Sequence, residues 1–166
     1  GVTPGVTYGS GKYHHTDSAV SALNIGTSNA VIEIRYKLST AEVGYWLDTR
    51  DTATGLLGYA VSYDTSGANN TISLVFNATT YTWDVTPTID SGTESTVRVA
   101  IVNAGNATLY VGGSSQGTQD VSALAAVAKN ANSVHVGVKY DHSSPTSGSI
   151  FEERISVGNA TNNGGP

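Results

Sequence analysis

Two adjacent glutamates, Glu152 and Glu153, are the first residues whose type and spacing bear on catalysis. Hydrolysis of a glycosidic bond uses two carboxylates, which retaining enzymes hold about 5.5 Å apart. Neighbouring residues of a strand point to opposite faces of a sheet, so only one of the two can reach a common groove. The chain also has no Ser–His–Asp order and no phosphate-cradling loop. We therefore expect that it is not an enzyme.

Aspartates in turn-forming stretches are candidate calcium ligands. Calcium takes several oxygen ligands from carboxylates and carbonyls, and loops can supply them. The stretch LDTRDT contains Asp48 and Asp51, SYDTSGAN contains Asp64 and Asn69, and KYDHSS contains Asp141. The alternative is that these aspartates shape turns by accepting hydrogen bonds from nearby backbone amides. The sequence leaves both interpretations open.

Histidines are less promising as metal ligands. His14 and His15 are adjacent, so their side chains diverge on a strand, while His135 and His142 belong to a strand and to a loop. No two of them combine a ligand-like spacing with a carboxylate. We expect solvated rings and no transition-metal site.

Aromatic side chains could bind a sugar, because rings stack on it while polar groups bind its hydroxyls. Trp46 stands between Tyr45 and Leu47, and of two adjacent residues we expect one to face the core. The pattern places Trp83 either in the core or at its rim, and Tyr59 and Tyr63 in the core. The candidates for ligand contact are Tyr45, Trp46, Tyr81, Trp83 and Tyr140.

Potential glycosylation sites are the Asn-x-Ser/Thr sequons at Asn69, Asn77, Asn106 and Asn159. Chance gives about three of them in a chain with this content of Asn, Ser and Thr, so the count is uninformative. Asn106 follows a tight loop, which makes it the best acceptor if the source glycosylates its proteins.

The composition is typical of a β-rich exterior protein. Charged residues are 13% of the chain, against a usual share of about 25%, and Thr, Ser, Asn and Gly replace them. The net charge of −5 and the eight scattered Lys and Arg argue against a nucleic-acid partner, which selects a basic stripe. No run of about 18 apolar residues is present to span a membrane.

Cysteine and methionine are both absent. Disulfides and thiolate metal sites are therefore excluded, while the cellular compartment stays open. Since Met is missing at position 1 too, we expect a processed product or an excised domain. The 166 residues suit a single domain over 1–166, with 1–12 and 158–166 as terminal arms or linkers.

Alternation of apolar and polar residues is the dominant pattern and predicts strands. AVIEIRYKL places every second residue from Ala30 to Leu38 on one face, and STVRVAIVN does so from Val97 to Ile101. Shorter candidate strands are Val43–Thr49, Gly58–Asp64, Thr71–Phe76, Tyr81–Val85 and Ala107–Val111.

Two further stretches near the C-terminus alternate as well. SVHVGVKY predicts that four residues are buried and that His135 and Lys139 are exposed; the buried four are Val134, Val136, Val138 and Tyr140. SIFEERISVG separates two faces, one with Phe151, Glu153, Ile155 and Val157 and the other with Ile150, Glu152 and Arg154.

Turn signals join these strands into an antiparallel arrangement. In NATLYVGGSSQGTQD, Gly112 and Gly113 end a strand and predict a hairpin with a polar return, and Gly105 serves a tight loop at 103–107. The only helical pattern is a turn or two within Asp120–Asn130, with Asp120 as its cap. Ten or more strands with at most one helix predict an antiparallel two-sheet β-sandwich or jelly roll.

Several segments in order resemble a known family. STVRVAIVNAGNATLYVGGSSQGT resembles the laminin-G-like pattern of strand, tight turn, strand ending in glycine and polar return, and SVHVGVKYDHSSPTSGSIFEERISVG resembles its close. SALNIGTSNAVIEIRYKL and YWLDTRDTATGLLGYAVSYD fit the opening strands, so the resemblance covers about Ala22 to Val157. The chain is similar to the concanavalin A-like lectin/glucanase superfamily, most of all to its laminin-G-like domains. This resemblance implies a jelly roll with a loop calcium near the ligand rim.

These observations favour a non-enzymatic function and leave two classes open. The first is a structural, decoration or adhesion module on a virion or cell-surface assembly, whose arms dock on neighbouring protein subunits. The alternative is a carbohydrate-binding module of a secreted enzyme or adhesin, whose partner is a glycan. Either function places the protein outside the cell or on a virion surface.

Overall fold

Strands make up most of the structure, a computed structural model that describes residues 6–8, 14–15, 20–26, 28–51, 53–55, 58–102, 105–124 and 132–158. In chain order the strands are β1 (Val6–Tyr8), β2 (His14–His15), β3 (Ala30–Leu38), β4 (Val43–Asp48), β5 (Tyr59–Asp64), β6 (Asn70–Phe76), β7 (Thr79–Val85), β8 (Ser95–Ile101), β9 (Asn106–Val111), β10 (Ser114–Asp120), β11 (His135–Val136) and β12 (Gly148–Val157).

The strands form two sheets of six, with neighbours antiparallel throughout. Sheet A has the order β1-β12-β3-β8-β9-β10, and sheet B has the order β2-β11-β4-β5-β6-β7. The buried apolar side chains of both sheets form one core between them. The predicted two-sheet antiparallel β-sandwich is therefore confirmed.

Strand β3 follows its sequence pattern closely. Every second residue from Ala30 to Leu38 is buried, and the residues between them are half-buried or exposed. In β8, Val97, Val99 and Ile101 are buried as predicted, and the small Ala100 is buried as well. Alternation works here because both strands lie inside sheet A and pair without irregularity.

An aromatic trio links the two sheets through the core. The ring of Trp46 on β4 lies 4.6 Å from that of Tyr36 on β3 and 4.5 Å from that of Tyr63 on β5. Such tilted contacts add to the free energy gained by burying the rings. Burial raises the pKa of Tyr36 to about 12, so its hydroxyl stays protonated at physiological pH.

A bulge in β12 reverses two predicted faces. Ile150 pairs with Tyr36 and the next ladder pair is Glu152 with Arg35, so Phe151 is the extra residue. Ile150 faces the core at 4% exposure, while Phe151 lies on the outer face under the Arg35 guanidinium, 5.3 Å away. The two residues lie on opposite faces as predicted, but the predicted grouping of Phe151 with Glu153 is wrong, because strict alternation allows no extra residue.

Strand β11 also departs from its predicted pattern. His135 is 1% exposed, whereas Val134 and Val136 are only half-buried. The strand has just two residues, and Gly137 at a φ of 76° ends the extended conformation. The predicted exposure of His135 is therefore wrong, because one alternating pattern does not run through this segment; Val138 is nonetheless buried and Tyr140 half-buried.

The hairpin of β9 and β10 is confirmed. Gly112 and Gly113 connect the strands with φ values of 55° and 83°, the left-handed conformation that two-residue hairpin turns favour. Leu109 is fully buried, as its position in the pattern predicts. The polar return after the glycines is itself strand β10 and does not lead directly into a loop.

Edge strands β7 and β10 connect the two sheets along a seam. The indole Nε1 of Trp83 donates a hydrogen bond to the carbonyl of Gly117 over 3.1 Å, and Gln119 Nε2 donates to the carbonyl of Thr82 over 2.9 Å. The amide of Thr86 donates to Gln116 Oε1 over 3.1 Å. These bonds close one side of the sandwich.

Helical structure in the described residues is confined to two 3₁₀ turns, Ser21–Leu23 and Ser122–Leu124. The second falls in the predicted helix 120–130, and Asp120 Oδ1 accepts a hydrogen bond from the Ser122 amide over 2.8 Å. Positions 125–130 of that prediction lie outside the described residues. Neither turn is long enough to cross a membrane.

The predicted N-terminal arm is in part a strand. Residues 6–8 form β1 and pair with Gly148–Ile150 of β12, so this part of 1–12 belongs to sheet A. The rest of that arm and residues 159–166 lie outside the described structure. A single domain over the whole chain stays a prediction.

A carboxyl group lies on the core side of the edge region of sheet A. Glu153 pairs in register with the buried Ile34 and so faces inward. Its Oε1 is enclosed and has no hydrogen-bond partner among the described residues. Burial raises the pKa of this carboxyl well above its usual value, because the charged form loses its hydration.

Replacement of Glu153 by Gln should stabilise the protein at alkaline pH. The pKa of this carboxyl is higher in the folded state than in the unfolded state. Its contribution to the free energy of unfolding is therefore complete at pH values below the unfolded-state pKa. That contribution is lost as the pH rises through the folded-state pKa. We expect the melting temperatures of Glu153→Gln and wild type to agree near pH 4, and the variant to melt several degrees higher near pH 8. Glu152→Gln, an exposed neighbour, is the control. An equal gain at both pH values would contradict this reasoning.

Candidate functional site

A second bulge, in β4, turns Tyr45 and Asp48 to the outer face of sheet B. Tyr45 pairs with Ser62 and the next ladder pair is Leu47 with Val61, so Trp46 is the extra residue. Trp46 and Leu47 both face the core, at 0% and 1% exposure. Asp48 therefore lies outward in the same direction as Tyr45, which strict alternation from Trp46 would not allow.

Asp48 forms a buried ion pair with Arg50, two residues later. Arg50 Nη2 donates to Oδ2 over 2.6 Å, and its Nε donates to Oδ1 over 2.9 Å. The backbone amides of Arg50 and Tyr140 donate to the same carboxylate over 3.0 and 3.1 Å. Four donors thus occupy the roughly four lone-pair sites of this carboxylate.

Arg50 lies against the rings of two tyrosines. Its guanidinium carbon is 5.4 Å from the ring centre of Tyr45 and 4.9 Å from that of Tyr140, within the range of cation–π contacts. Both rings are half-buried. Tyr140 also packs on Gly55, where any side chain would collide with its ring. We call Tyr45, Asp48, Arg50 and Tyr140 the tyrosine–arginine cluster.

Neighbouring charges and hydrogen bonds shift the pKa values of Arg50 and of the nearby Asp141. Burial alone would lower the pKa of Arg50, but its hydrogen bonds to Asp48 and the negative charge of Asp48 outweigh burial and raise it. Beside it, Lys139 Nζ donates to Asp141 over 2.9 Å. Burial alone would raise the pKa of Asp141, yet hydrogen bonds from Ser143 and Lys139 lower it to about 2. Arg50, Lys139 and Asp141 are therefore charged over the physiological pH range.

Two histidines approach each other next to the cluster. The ring of His135 lies 5.4 Å from that of His142, and His135 stands opposite Asp48 in the ladder of β11 and β4. The ring of His135 is buried while that of His142 is exposed, so the expectation of solvated rings is wrong for His135. The cause is the pairing of β11 with β4, which joins residues far apart in the sequence.

The aspartates predicted as calcium ligands all accept hydrogen bonds from described residues, and calcium binding stays a prediction. Asp48 is saturated by its four donors, and the others hold their own loops by short-range hydrogen bonds. Asp51 accepts from the Ala53 and Thr54 amides, Asp64 from the Ser66 amide and hydroxyl, and Asp141 from the Ser143 amide and hydroxyl. Within the described residues no three His, Asp or Glu side chains form a group that could hold a metal ion.

The candidate sugar-contacting aromatics divide into two groups. Trp46 and Trp83 are 0% and 3% exposed and belong to the core, so neither offers a ring face to a ligand. Tyr81 packs against the core from β7, next to Asp120 on the seam. Tyr45 and Tyr140 come together around Arg50, and they stay candidates for ligand contact.

Sequence reasoning missed Arg50 as the centre of this cluster. The signal was the spacing in Asp48-Thr49-Arg50, which places an acid and a base two residues apart. Its meaning depends on the bulge in β4 and on the loop that brings Tyr140 close, and neither is visible in the local pattern.

The sequons differ in their surroundings. Asn69 and Asn106 are exposed, in a bend and at the start of β9. Asn77 is half-buried, and its Oδ1 accepts a hydrogen bond from the Gly58 amide over 2.9 Å. Asn159 lies outside the described residues. Whether any of them is glycosylated stays a prediction.

The two adjacent glutamates face opposite sides of β12, as alternation predicts. Glu152 is exposed on the outer face, where Arg154 Nη2 donates to it over 2.7 Å, and Glu153 faces the core opposite Ile34. These two carboxyls thus share no groove.

Several solved structures have the same fold. A heptameric SAP-like pentraxin from Limulus polyphemus aligns with a TM-score of 0.63 at 15% identity, over 93% of this chain and 71% of that one. The CBM40 domain of a Ruminococcus gnavus IT-sialidase, bound to α2,3-sialyllactose, aligns with a TM-score of 0.60 at 15% identity, over 95% and 96%. Domains LG4-5 of the mouse laminin α1 chain align with a TM-score of 0.61 at 15% identity, over 92% of this chain but 40% of that one.

These alignments establish the fold alone, since the identities are low. The chain has the concanavalin A-like, laminin-G-like jelly-roll fold that its sequence resembles. No protein-family model and no curated protein matches the sequence.

Replacement of Asp48 by Asn should destabilise the protein equally with and without calcium. The variant leaves the buried Arg50 guanidinium without its counter-charge, a change that costs about 3–5 kcal/mol in buried ion pairs. Urea unfolding in calcium and in chelator measures the loss. Asp64→Asn, which alters only an exposed turn, is the control and should change stability by less than about 1 kcal/mol. A loss that occurs only in calcium would identify Asp48 as a metal ligand after all.

Proposed function

We propose that this chain is a non-enzymatic glycan-binding module whose contact surface is centred on Tyr45 and Tyr140. The observation that carries the proposal is the tyrosine–arginine cluster itself. It presents two half-buried aromatic rings on the outer face of a lectin-like sandwich, next to polar and charged groups. Rings that stack on a sugar and polar groups that bind its hydroxyls are the parts such a site requires.

Rigidity of the cluster supports this proposal. Two side-chain hydrogen bonds to Asp48 fix the position of Arg50. Asp48 in turn accepts a hydrogen bond from the backbone amide of Tyr140. The two rings are therefore held by the same ion pair, one from β4 and one from the loop after β11. A preformed site loses little conformational entropy when its ligand binds, which favours affinity for weakly binding ligands such as sugars.

The structural relatives support a glycan as the ligand. One of the solved domains of this fold is a carbohydrate-binding domain with sialyllactose bound. We infer that the present chain binds without calcium, because the four aspartates predicted as ligands are engaged with Arg50, with Lys139 or with their own loops.

The setting we propose is a secreted or surface-displayed protein, such as an adhesin or a component of a virion. A structural role in such an assembly is the second candidate function. It is favoured by the outer face of sheet A, where three of the eight cationic residues stand opposite acids across the strands; the cations are Arg35, Arg98 and Arg154. Rows of alternating charge can meet complementary rows on a neighbouring subunit.

A glycan-array screen of the chain, with calcium and again with chelator, tests the proposal. We expect specific binding that persists in chelator. Loss of binding in chelator would indicate that the glycan binds at a calcium-dependent loop instead. Absence of binding in both conditions would reject the glycan-binding function and favour the structural role.

Replacement of Tyr140 or Tyr45 by Ala should weaken glycan binding at least about ten-fold, because each change removes a ring that stacks on the sugar. Titration calorimetry with the best array ligand measures the change. Tyr110→Ala is the matched control, since Tyr110 lies under Arg98 at 5.3 Å on the opposite sheet. Equal losses in all three variants would point to a general effect on folding and contradict the assignment.

A further inference from the structure

A row of hydroxyl-bearing side chains crosses the outer face of sheet B and begins at the tyrosine–arginine cluster. Tyr45 stands opposite Ser62, Ser62 opposite Ser73, and Ser73 opposite Thr82. All four belong to the face opposite to the core, and exposure increases from the buried Ser62 through Ser73 to the exposed Thr82. We call these four residues the hydroxyl row.

The dimensions of the row exceed one sugar unit. Neighbouring strands lie about 4.8 Å apart, so the three steps from β4 to β7 span roughly 14 Å. A hydroxyl can both donate and accept, and its hydrogen rotates to suit the partner. Ser73 and Thr82 already bond to each other over 2.9 Å, which shows that adjacent members are close enough to serve one ligand together. Sugar hydroxyls have the same dual character.

The charge around the row selects against acidic ligands. On one side, Asp64 and Asp84 flank Thr71 in the next row. On the other side, β5 to β7 contribute Ala60, Val75 and Thr80. Among the described residues of β4 to β7 there is no lysine or arginine. An anionic sugar would meet two carboxylates here and no cation, which is unfavourable.

The positive charge of Arg50 does not make this surface favourable for acidic ligands. Its charge is already matched by Asp48, and the pair as a whole is neutral. The guanidinium therefore acts mainly as the support that holds the two tyrosine rings. Lys139 is likewise paired with Asp141.

We infer that the ligand is a neutral oligosaccharide of several units, which stacks on Tyr45 and Tyr140 and extends across the strands of sheet B along the hydroxyl row. This inference rests on the proposed glycan-binding function and adds the class and the direction of the ligand. It differs from the acidic sialyllactose seen on the related carbohydrate-binding domain.

Titration calorimetry with two sets of probes tests the inference. The neutral set comprises cello-, manno- and xylo-oligosaccharides from monosaccharide to hexasaccharide, and the acidic set comprises sialyllactose and hyaluronan oligosaccharides. We expect affinity for one neutral series to rise with length up to at least a trisaccharide, and acidic probes to bind more weakly. Tighter binding of the acidic set, or affinity independent of length, would overturn the inference.

The double variant Ser73→Ala/Thr82→Ala locates the ligand. We expect it to lose about ten-fold in affinity for the longest neutral oligosaccharide, since each lost hydrogen bond contributes part of that factor, and to bind the monosaccharide as wild type does. Thr108→Ala/Thr118→Ala is the matched control, because it removes the same 2.9 Å cross-strand pair from sheet A. Melting temperatures of both variants verify folding.

The outcomes separate the two proposals. If Tyr140→Ala abolishes binding but the Ser73/Thr82 variant binds long probes as wild type does, the glycan-binding function stands and the hydroxyl row is rejected. If wild type binds no probe of either set, the glycan-binding function fails and the inference fails with it. Loss of affinity for long probes in both Tyr140→Ala and the Ser73/Thr82 variant, with the sheet A control unchanged, supports the inference.

Discussion

The bulge at Trp46 is the constraint on which both the core and the candidate site depend. It places Trp46 and Leu47 inward in succession, so both side chains fill the space between the sheets. The same extra residue then turns Asp48 outward, into the reach of Arg50. One irregularity in one strand thus couples the packing of Tyr36 and Tyr63 on the inside to the geometry of the tyrosine–arginine cluster on the outside.

The Asp48–Arg50 pair gives the site an internal cation. In a loop rich in aspartates, a guanidinium is a permanent positive charge that needs neither uptake from solution nor a particular coordination geometry. It is also planar, so it can satisfy Asp48 through two nitrogens while the tyrosine rings lie against it. A buried ion pair adds little net stability compared with apolar packing, so its value here lies in fixing a single arrangement of the two tyrosines.

The fold class, most strand positions and the β9–β10 hairpin could be read from the sequence, because alternation and glycine-rich turns act locally. The faces of individual residues could be read only where pairing is regular, as in β3 and β8. The extra residues at Trp46 and Phe151 change which side chains near them face the core. Such bulges cannot be recognised from the order of apolar and polar residues in the sequence. Arg50, His135 and Tyr140 could not be connected at all, since the pairing of β11 with β4 brings them together from distant segments.

The seam between β7 and β10 affects how readily another chain can add a strand to the sandwich. The open edge of a sheet is a template on which another chain can add a strand, and this is a common route to aggregation. Here the last strand of each sheet is engaged by the other, through Trp83 and Gly117 and through Gln119 and Thr82. A carbonyl on each of these two edge strands is therefore occupied by the opposite sheet, which disfavours the addition of a further strand along this side.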